Sequence, residues 1–396
     1  MKLGILHLGL AVASVSSACT FYTACPTPQP AQPAAGSGTG GGANGGTGNT
    51  SDGGADDGGG TGGSVAMGGA PPMGKWVNET FNLKGLDSEC GNLSQLSSKP
   101  DEDMLIVSVA QQGLFHKRSS DTEWTPLGQG KGSEKITNRG TSFLYDPEHP
   151  KVFWESGIYN GGGIYRTDDN GDTFKALNII HNDYVSVDFT DPDRQTLLAS
   201  GHEQDRKFYK STDGGETFVE LGDQLPDEVK VCPQPVALDA EHYLLGCGSY
   251  GGGDRGIYSS TDGGDSWKGV STHGGGAAPL LASDGTIYWA SEGTEGIVTS
   301  TDQGATWDGP FGGGELAAAK PVELPDGRVA ALGNGRILVT ANGGNTWRVV
   351  TTAAPFQPLG VAYSAEKRAF YVWHFSCDVP VPNDAIMAYD WDYETE

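Results

Sequence analysis

The sequence predicts an all-β protein folded as a single seven-bladed β-propeller over residues 75–396. Five copies of one turn motif recur every 40 to 49 residues, and short apolar runs of strand length fill the intervals between them. Glycine accounts for 62 of the 396 residues, about twice its usual share, as many tight turns require. Repeating units of four short strands and this length are the blades of a propeller.

The turn motif is a strand end, Ser/Thr-x-Asp, a glycine turn, Thr/Ser, and then Phe or Trp. Its copies are "GIYRTDDNGDTF" (163–174), "KFYKSTDGGETF" (207–218), "GIYSSTDGGDSW" (256–267), "GIVTSTDQGATW" (296–307) and "RILVTANGGNTW" (336–347). A shorter relative, "GLFHKRSSDTEW" (113–124), precedes them.

The central position of the motif is expected to shape the backbone rather than to carry chemistry. It is occupied by Asp169, Asp213, Asp262, Asp302 and Asn342. An Asp there accepts hydrogen bonds from its own turn, glycine supplies the positive φ, and the terminal aromatic ring packs between sheets. A calcium loop at 167–172 lacks the closing glutamate of an EF-hand, so no metal or cofactor is predicted.

The blades are expected, in order, near 90–128, 140–178, 184–222, 233–271, 276–311, 315–352 and 357–396. The seventh supplies only three strands, from "LGVAYSA", "RAFYVWHF" and "AIMAYDWDY". The segment "GKWVNETFNLKG" (74–85) is predicted to add its outer strand. Ring closure of this kind removes exposed strand edges.

The recurring motif resembles the Asp-box, or BNR repeat, of sialidases, xyloglucanases, the sortilin luminal domain and photosystem II assembly factors. All of these are β-propellers, and the resemblance extends over about residues 76–396. It is specific for the fold and much less so for an activity.

The N-terminus is predicted to direct export. Lys2 precedes the apolar run "LGILHLGLAVASV" and then "SSAC", which resembles a bacterial lipoprotein signal over residues 1–18 with lipidation of Cys19. An ordinary cleaved signal is the alternative. Residues 19–74 form a Gly/Pro-rich tether expected to be a disordered coil. We therefore expect a lipoprotein of the outer membrane, facing the periplasm or cell surface, or a secreted protein.

Four cysteines lie in the predicted folded part, and an even number in an exported domain favours disulfides. Cys232 and Cys247 flank one turn, so they are expected to face each other across a hairpin. Cys90 opens the first blade and Cys377 lies in the last, so a bridge between them would lock the ring.

The net charge of −25 opposes contact with nucleic acid, and no segment is long and apolar enough to span a membrane. A monomer is expected, attached to a membrane only through its lipid. The partner we expect is an extracellular glycan or protein.

The candidate binding residues lie in the loops that follow the second strand of each blade, opposite the turn motifs. They combine aromatic rings with charged and polar groups, which suits a polar ligand such as a sugar or a peptide. They are Tyr159, Asn160, His202, Arg206, Tyr250, Arg255, Arg336, Trp373 and His374.

A hydrolase would need two carboxyl groups across the scissile bond, and the candidates are Glu155, Asp205, Asp254 and Glu292. The resemblance to sialidases implies an Arg-Ile-Pro motif, which is absent. The resemblance to xyloglucanases implies a catalytic Asp where this chain has Asn160. We therefore predict binding without catalysis; a polysaccharide-active glycoside hydrolase or lyase is the alternative, and a structural surface protein the second alternative.

Overall fold

The structure is a computed structural model that describes residues 64–66, 74–100, 102–377 and 380–395. The predicted signal peptide and Cys19 lie outside these residues, as does most of the predicted tether. Within the described ranges, no helix is long and apolar enough to cross a membrane.

The described residues form strands and four short 3-10 turns. The turns are Phe81–Leu83, Ser133–Lys135, Gly222–Gln224 and Tyr250–Gly252. The strands are β1 Ser64–Ala66, β2 Trp76–Asn78, β3 Leu93–Ser98, β4 Leu105–Val109, β5 Gly113–Lys117, β6 Thr125–Pro126, β7 Arg139–Tyr145, β8 Phe153–Ile158, β9 Gly163–Thr167, β10 Lys175–Ile180, β11 Asn182–Val187, β12 Leu197–Gly201, β13 Phe208–Ser211, β14 Val219–Glu220, β15 Val231–Ala237, β16 Tyr243–Gly248, β17 Gly256–Ser260, β18 Lys268–Ser271, β19 Leu280–Leu281, β20 Ile287–Ala290, β21 Ile297–Ser300, β22 Asp308–Phe311, β23 Val322–Glu323, β24 Val329–Gly333, β25 Arg336–Thr340, β26 Thr346–Val349, β27 Gly360–Ser364, β28 Ala369–Trp373 and β29 Ile386–Asp390.

These strands assemble into seven antiparallel blades, as the sequence predicts. Blades one to six take four consecutive strands each, beginning at β3, β7, β11, β15, β19 and β23. The seventh blade has the order β27–β28–β29–β2, so the N-terminal strand supplies its outer edge. Trp76 pairs with Tyr389 across that edge, and their rings lie 5.1 Å apart. The predicted closure of the last blade is confirmed.

The apolar core is divided among the interfaces between blades. Seven buried clusters are present in the described chain, and each joins side chains of two successive blades. One of them packs Val107 of the first blade with Tyr371 and Ile386 of the seventh. Because this cluster links the first blade to the last, the ring is closed by packing as well as by strand pairing.

The five motif turns share one hydrogen-bond pattern between the third and fourth strands of their blades. In the first, Asp169 Oδ1 accepts the Thr173 backbone N–H at 2.7 Å and Asp169 Oδ2 accepts the Thr173 hydroxyl at 2.6 Å. The Thr167 hydroxyl oxygen also accepts the Gly171 N–H at 2.9 Å. The next three turns repeat this arrangement. In the fifth, Asn342 Oδ1 accepts both the Thr346 N–H and the Thr346 hydroxyl, so all five residues brace the backbone.

Both predicted disulfides are present. Cys232 and Cys247 join the first two strands of the fourth blade, whereas Cys90 and Cys377 join chain segments 287 residues apart. The second bridge therefore connects the entry to the first blade with the seventh.

One short element differs from the prediction that residues 19–74 lack regular structure. Ser64–Ala66 forms β1, which pairs in parallel with β26 at the outer edge of the sixth blade. The sequence "SVA" interrupts the glycine-rich run with a β-branched residue, and such residues favour strands.

Candidate functional site

The ring presents two faces that differ in chemistry. In an antiparallel blade, the loop between the second and third strands leaves from the face opposite the turn between the third and fourth. The predicted binding loops therefore lie on the face opposite the five motif turns. We call this the loop face.

A chain of three polar side chains connects the second and third blades on the loop face. The Tyr159 hydroxyl lies 2.9 Å from His202 Nε2, and His202 Nδ1 lies 2.8 Å from Asp183 Oδ1. An ionised Asp accepts the Nδ1–H, which leaves Nε2 to accept the proton that Tyr159 donates. His202 and Asp183 are buried, and Tyr159 is half-buried. With His181, we call these residues the Tyr159 site.

His181 completes the aromatic wall of the site. Its ring centroid lies 5.3 Å from that of Tyr159 and 5.1 Å from that of His202, both edge to face. Its Nδ1 accepts the Tyr159 backbone N–H at 3.4 Å. Burial and then the neighbouring His202 lower the pKa of His181, so the ring is neutral. Because Nδ1 accepts the Tyr159 N–H, the ring carries its proton on Nε2.

The backbone at this site adopts the left-handed conformation unusually often for residues other than glycine. Five of the twelve such residues in the described chain lie in these loops, namely Tyr159, Asn160, His181, Glu203 and Arg206, with φ between 47° and 61°. Each left-handed residue of this kind costs free energy unless its surroundings hold it in place. Concentration of that cost in one region is typical of functional sites.

A cation and a carboxylate from outside the two loops pack against Tyr159 and Asn160. The Arg139 guanidinium lies 4.9 Å from the Tyr159 ring centroid and donates to the backbone oxygen of Cys90. The Asn160 amide donates to the Glu89 carboxylate, which also accepts from Gln111. The segment around the Cys90–Cys377 bridge thus supports the site directly.

Glu155 is fully enclosed between the first two blades, although the sequence suggested it as a catalytic carboxyl group. Asn138 donates to its Oε2 at 3.2 Å. Burial raises the pKa of Glu155 to about 8, so the side chain is protonated at neutral pH. With no exposed surface, this carboxyl group has no direct contact with solvent.

Of the other three catalytic candidates, Asp205 lies in the same third-blade loop as His202, whereas Asp254 and Glu292 lie in loops of the fourth and fifth blades. Asp205 and Asp254 are exposed in loops of the third and fourth blades. Glu292 accepts the Ser249 N–H at 2.8 Å and the Ser249 hydroxyl at 2.7 Å.

The remaining binding candidates divide into exposed and structural residues. Tyr250 is exposed, and Arg255 in the same loop forms an ion pair with Glu295 at 2.7 Å. Arg336 is half-buried at the start of β25.

Three candidates are held by their own structural contacts. Arg206 donates to the Leu225 and Pro226 carbonyls. Trp373 is buried and donates from its indole to the Ser94 carbonyl at 3.1 Å. His374 stacks on Phe356 with a centroid distance of 4.2 Å.

Sequence reasoning missed four residues of the region: Glu89, Arg139, His181 and Asp183. The stretch "HNDY" at 181–184 places a His and an Asp at the entrance to an innermost strand, and this density of polar residues was a usable signal. Arg139 and Glu89 lie in other segments, so only the fold brings them to Tyr159.

The opposite face holds a group of possible metal ligands, Asp146, Glu148 and His149. Arg194 occupies the position between the two carboxylates, at 2.8 Å from Asp146 and 2.7 Å from Glu148. Burial raises the pKa of Asp146, but the hydrogen bonds from Arg194 and from the Glu148 and His149 backbone N–H groups outweigh burial and lower the pKa to about 2. The guanidinium therefore pairs with both carboxylates.

No family model and no curated protein matches the sequence. Among solved structures, the fold is similar to that of a streptogramin B lyase, with a TM-score of 0.55, 10% identity, and 81% of this chain and 99% of that chain covered. YCF48 bound to D1 peptide has a TM-score of 0.51 at 11% identity, over 81% of this chain and 97% of that one.

The GH74 xyloglucanase from Xanthomonas campestris has a TM-score of 0.49 at 15% identity. The match covers 79% of this chain but only 55% of that enzyme, so this chain spans about half its length. The similarities to the lyase and to YCF48 establish the propeller fold alone.

Proposed function

We propose that this protein is an exported propeller that binds an extracellular glycan or protein partner on its loop face, at the Tyr159 site. The observation that carries the proposal is the Asp183–His202–Tyr159 chain, set in loops that hold five left-handed residues. A polar network held at such conformational cost is better explained by a ligand than by folding alone.

The composition of the site suits a hydroxyl-rich or peptide ligand. Rings at Tyr159 and His181 offer flat apolar surface, and Asn160 and Glu203 offer hydrogen-bonding groups beside them. Ligand sites combine such apolar surface with a few oriented polar groups. The exposed Tyr250 ring offers a second contact on the same face.

The two disulfides support export, since such bonds persist in oxidising compartments. Attachment through a lipid on Cys19 remains part of the proposal. The proposal also assigns to the tether, residues 19–74, the role of holding the propeller away from a membrane.

The alternative of a two-carboxyl hydrolase has less support. Glu155 is enclosed, Glu292 is bound by Ser249, and Asp205 and Asp254 lie exposed on separate blades. A glycosidase needs one carboxyl group on each side of the scissile bond, both facing the substrate.

Titration of the protein with a panel of soluble polysaccharides and peptides tests the proposal. We expect saturable binding that weakens at least tenfold in His202→Gln. The matched control is His242→Gln on the opposite face, where His242 Nδ1 lies 2.7 Å from Asp239. Equal binding by both variants would place the ligand elsewhere. No binding at all would favour the structural role.

A further inference from the structure

We propose that Tyr159 is a catalytic base that cleaves an acidic glycan by β-elimination. The inference rests on the proposed ligand site and goes beyond binding. Tyr159 gives its hydroxyl proton to His202, and Asp183 positions His202 to accept it.

The order of hydrogen bonds gives the Tyr159 oxygen its basic character. Asp183 accepts the Nδ1–H of His202 at 2.8 Å, so His202 Nε2 faces the Tyr159 hydroxyl as an acceptor at 2.9 Å. Transfer of the hydroxyl proton to His202 then leaves a phenolate beside an imidazolium that Asp183 stabilises. The Arg139 guanidinium, 4.9 Å from the Tyr159 ring centroid, stabilises the same phenolate.

The described carboxyl groups around the site are already engaged by protein groups, with Glu89 accepting from Asn160 and Gln111. Asp183 is buried behind His202, and Glu203 lies on the His202 side, with its Oε1 3.8 Å from Nε2. Tyr159 is the group that the Asp183–His202 hydrogen bonds prepare as a base, and elimination is a reaction that one base can carry through.

The substrate class follows from what a single base can remove. A carbon next to a carboxylate releases its proton far more readily than other sugar carbons, so the substrate is a glycan that contains uronic acids. Neutral His181 presents its Nε2–H as a donor for the substrate carboxylate, because its Nδ1 already accepts from the Tyr159 backbone.

The step balances without water, metal or oxidant. The phenolate takes the proton from the carbon beside the carboxylate, and that C–H electron pair forms a carbon–carbon double bond. The bond to the glycosidic oxygen breaks, and the leaving oxygen takes the proton now carried by Tyr159. His202 then returns its proton to Tyr159. The products are a new chain end with a hydroxyl group and an unsaturated sugar.

The test follows the ultraviolet absorbance of the new double bond with the full mature protein on polygalacturonate, alginate and chondroitin. Moderate salt is used because the net charge of −25 repels polyanions. We expect an unsaturated product from at least one polymer. Tyr159→Phe, which keeps the ring against Arg139, should lose about 100-fold or more in rate while it still binds. His242→Gln should keep the wild-type rate.

Asp183→Asn separates a positioning role from a structural one. We expect kcat to fall at least tenfold while KM and Tm stay near wild type, since the isosteric amide changes only the proton balance of His202. Full activity of Tyr159→Phe would overturn the inference, as would the absence of unsaturated product from all three polymers. Saturable binding without that product would refute the inference and leave the proposed function standing.

Discussion

Asp302 and Asn342 occupy the same position in the turns of two neighbouring blades. Both accept the backbone N–H four residues on, at 2.9 and 3.0 Å. Only Asp302 ionises, and its hydrogen bonds, first from the Thr306 hydroxyl and then from the Thr306 N–H, lower its pKa to about 2. The chain thus contains its own comparison of a charged and a neutral turn.

Asp302→Asn should remove part of the acid sensitivity of the fold. The folded pKa lies below the usual 3.8, so the carboxylate stabilises the fold above pH 4, and this is lost as the pH falls towards 2. Thermal melts between pH 2 and 7 should show the variant roughly 2 °C below wild type at pH 7 and level with it near pH 2. A difference in Tm between variant and wild type that stays constant from pH 2 to pH 7 would contradict the link between stability and ionisation of Asp302.

Glu155 presents the opposite case, because burial raises its pKa from 4.5 to about 8. The unfolded chain loses this proton near pH 4.5, whereas the folded chain keeps it until about pH 8. Stability is therefore complete below pH 4.5 and falls as the pH rises through this window.

Glu155→Gln should remove this loss of stability at high pH, because the amide does not ionise, while it keeps the contact with Asn138. Urea unfolding should find the variant level with wild type near pH 4 and more stable at pH 8, by up to a few kcal/mol. A variant less stable than wild type at pH 8 would mean that Glu155 is charged and paired in the fold.

At the scale of elements, the Cys90–Cys377 bridge holds the segment that supports the Tyr159 site. Gly91 donates to the Ser376 carbonyl at 3.1 Å, and the neighbouring Cys90 carbonyl and Glu89 accept from Arg139 and Asn160. The Cys232–Cys247 bridge instead lies in the core between the third and fourth blades.

The double variant Cys90→Ser/Cys377→Ser should therefore weaken ligand binding as well as stability. We expect a loss of about 3–5 kcal/mol in unfolding free energy, because this bridge closes a long loop, and at least a threefold weaker binding constant. Cys232→Ser/Cys247→Ser is the matched control, which should lose stability and keep its affinity below its Tm. Equal affinities in the two variants would show that the Cys90–Cys377 bridge does not support ligand binding at the Tyr159 site.

At the scale of the whole molecule, the repeat spacing was sufficient to predict the ring. Each motif marks the turn between the third and fourth strands of one blade, and the missing outer strand of the last blade left Trp76–Asn78 to fill it. These features are local in sequence or forced by closure, so they are readable without coordinates. Asp302 and its counterparts were assigned correctly to turns for the same reason.

The site was only partly predictable because its contacts are not local. Tyr159 and His202 were named from their loops, but their link through Asp183 depends on how two blades pack. Trp373 shows the opposite failure: its sequence position suggests a loop aromatic, yet its ring is buried between the last and first blades. Burial of a single side chain at a strand end depends on packing between blades, which spacing alone does not give.

Hydrogen exchange with and without a saturating polysaccharide tests the central claim that a ligand binds the loop face at the Tyr159 site. We predict slower exchange in residues 159–163 and 181–183 and in the loop 202–207. The motif turns around Asp213 and Asp262 should be unchanged. Protection confined to the motif turns, with the Tyr159 site unaffected, would contradict the account.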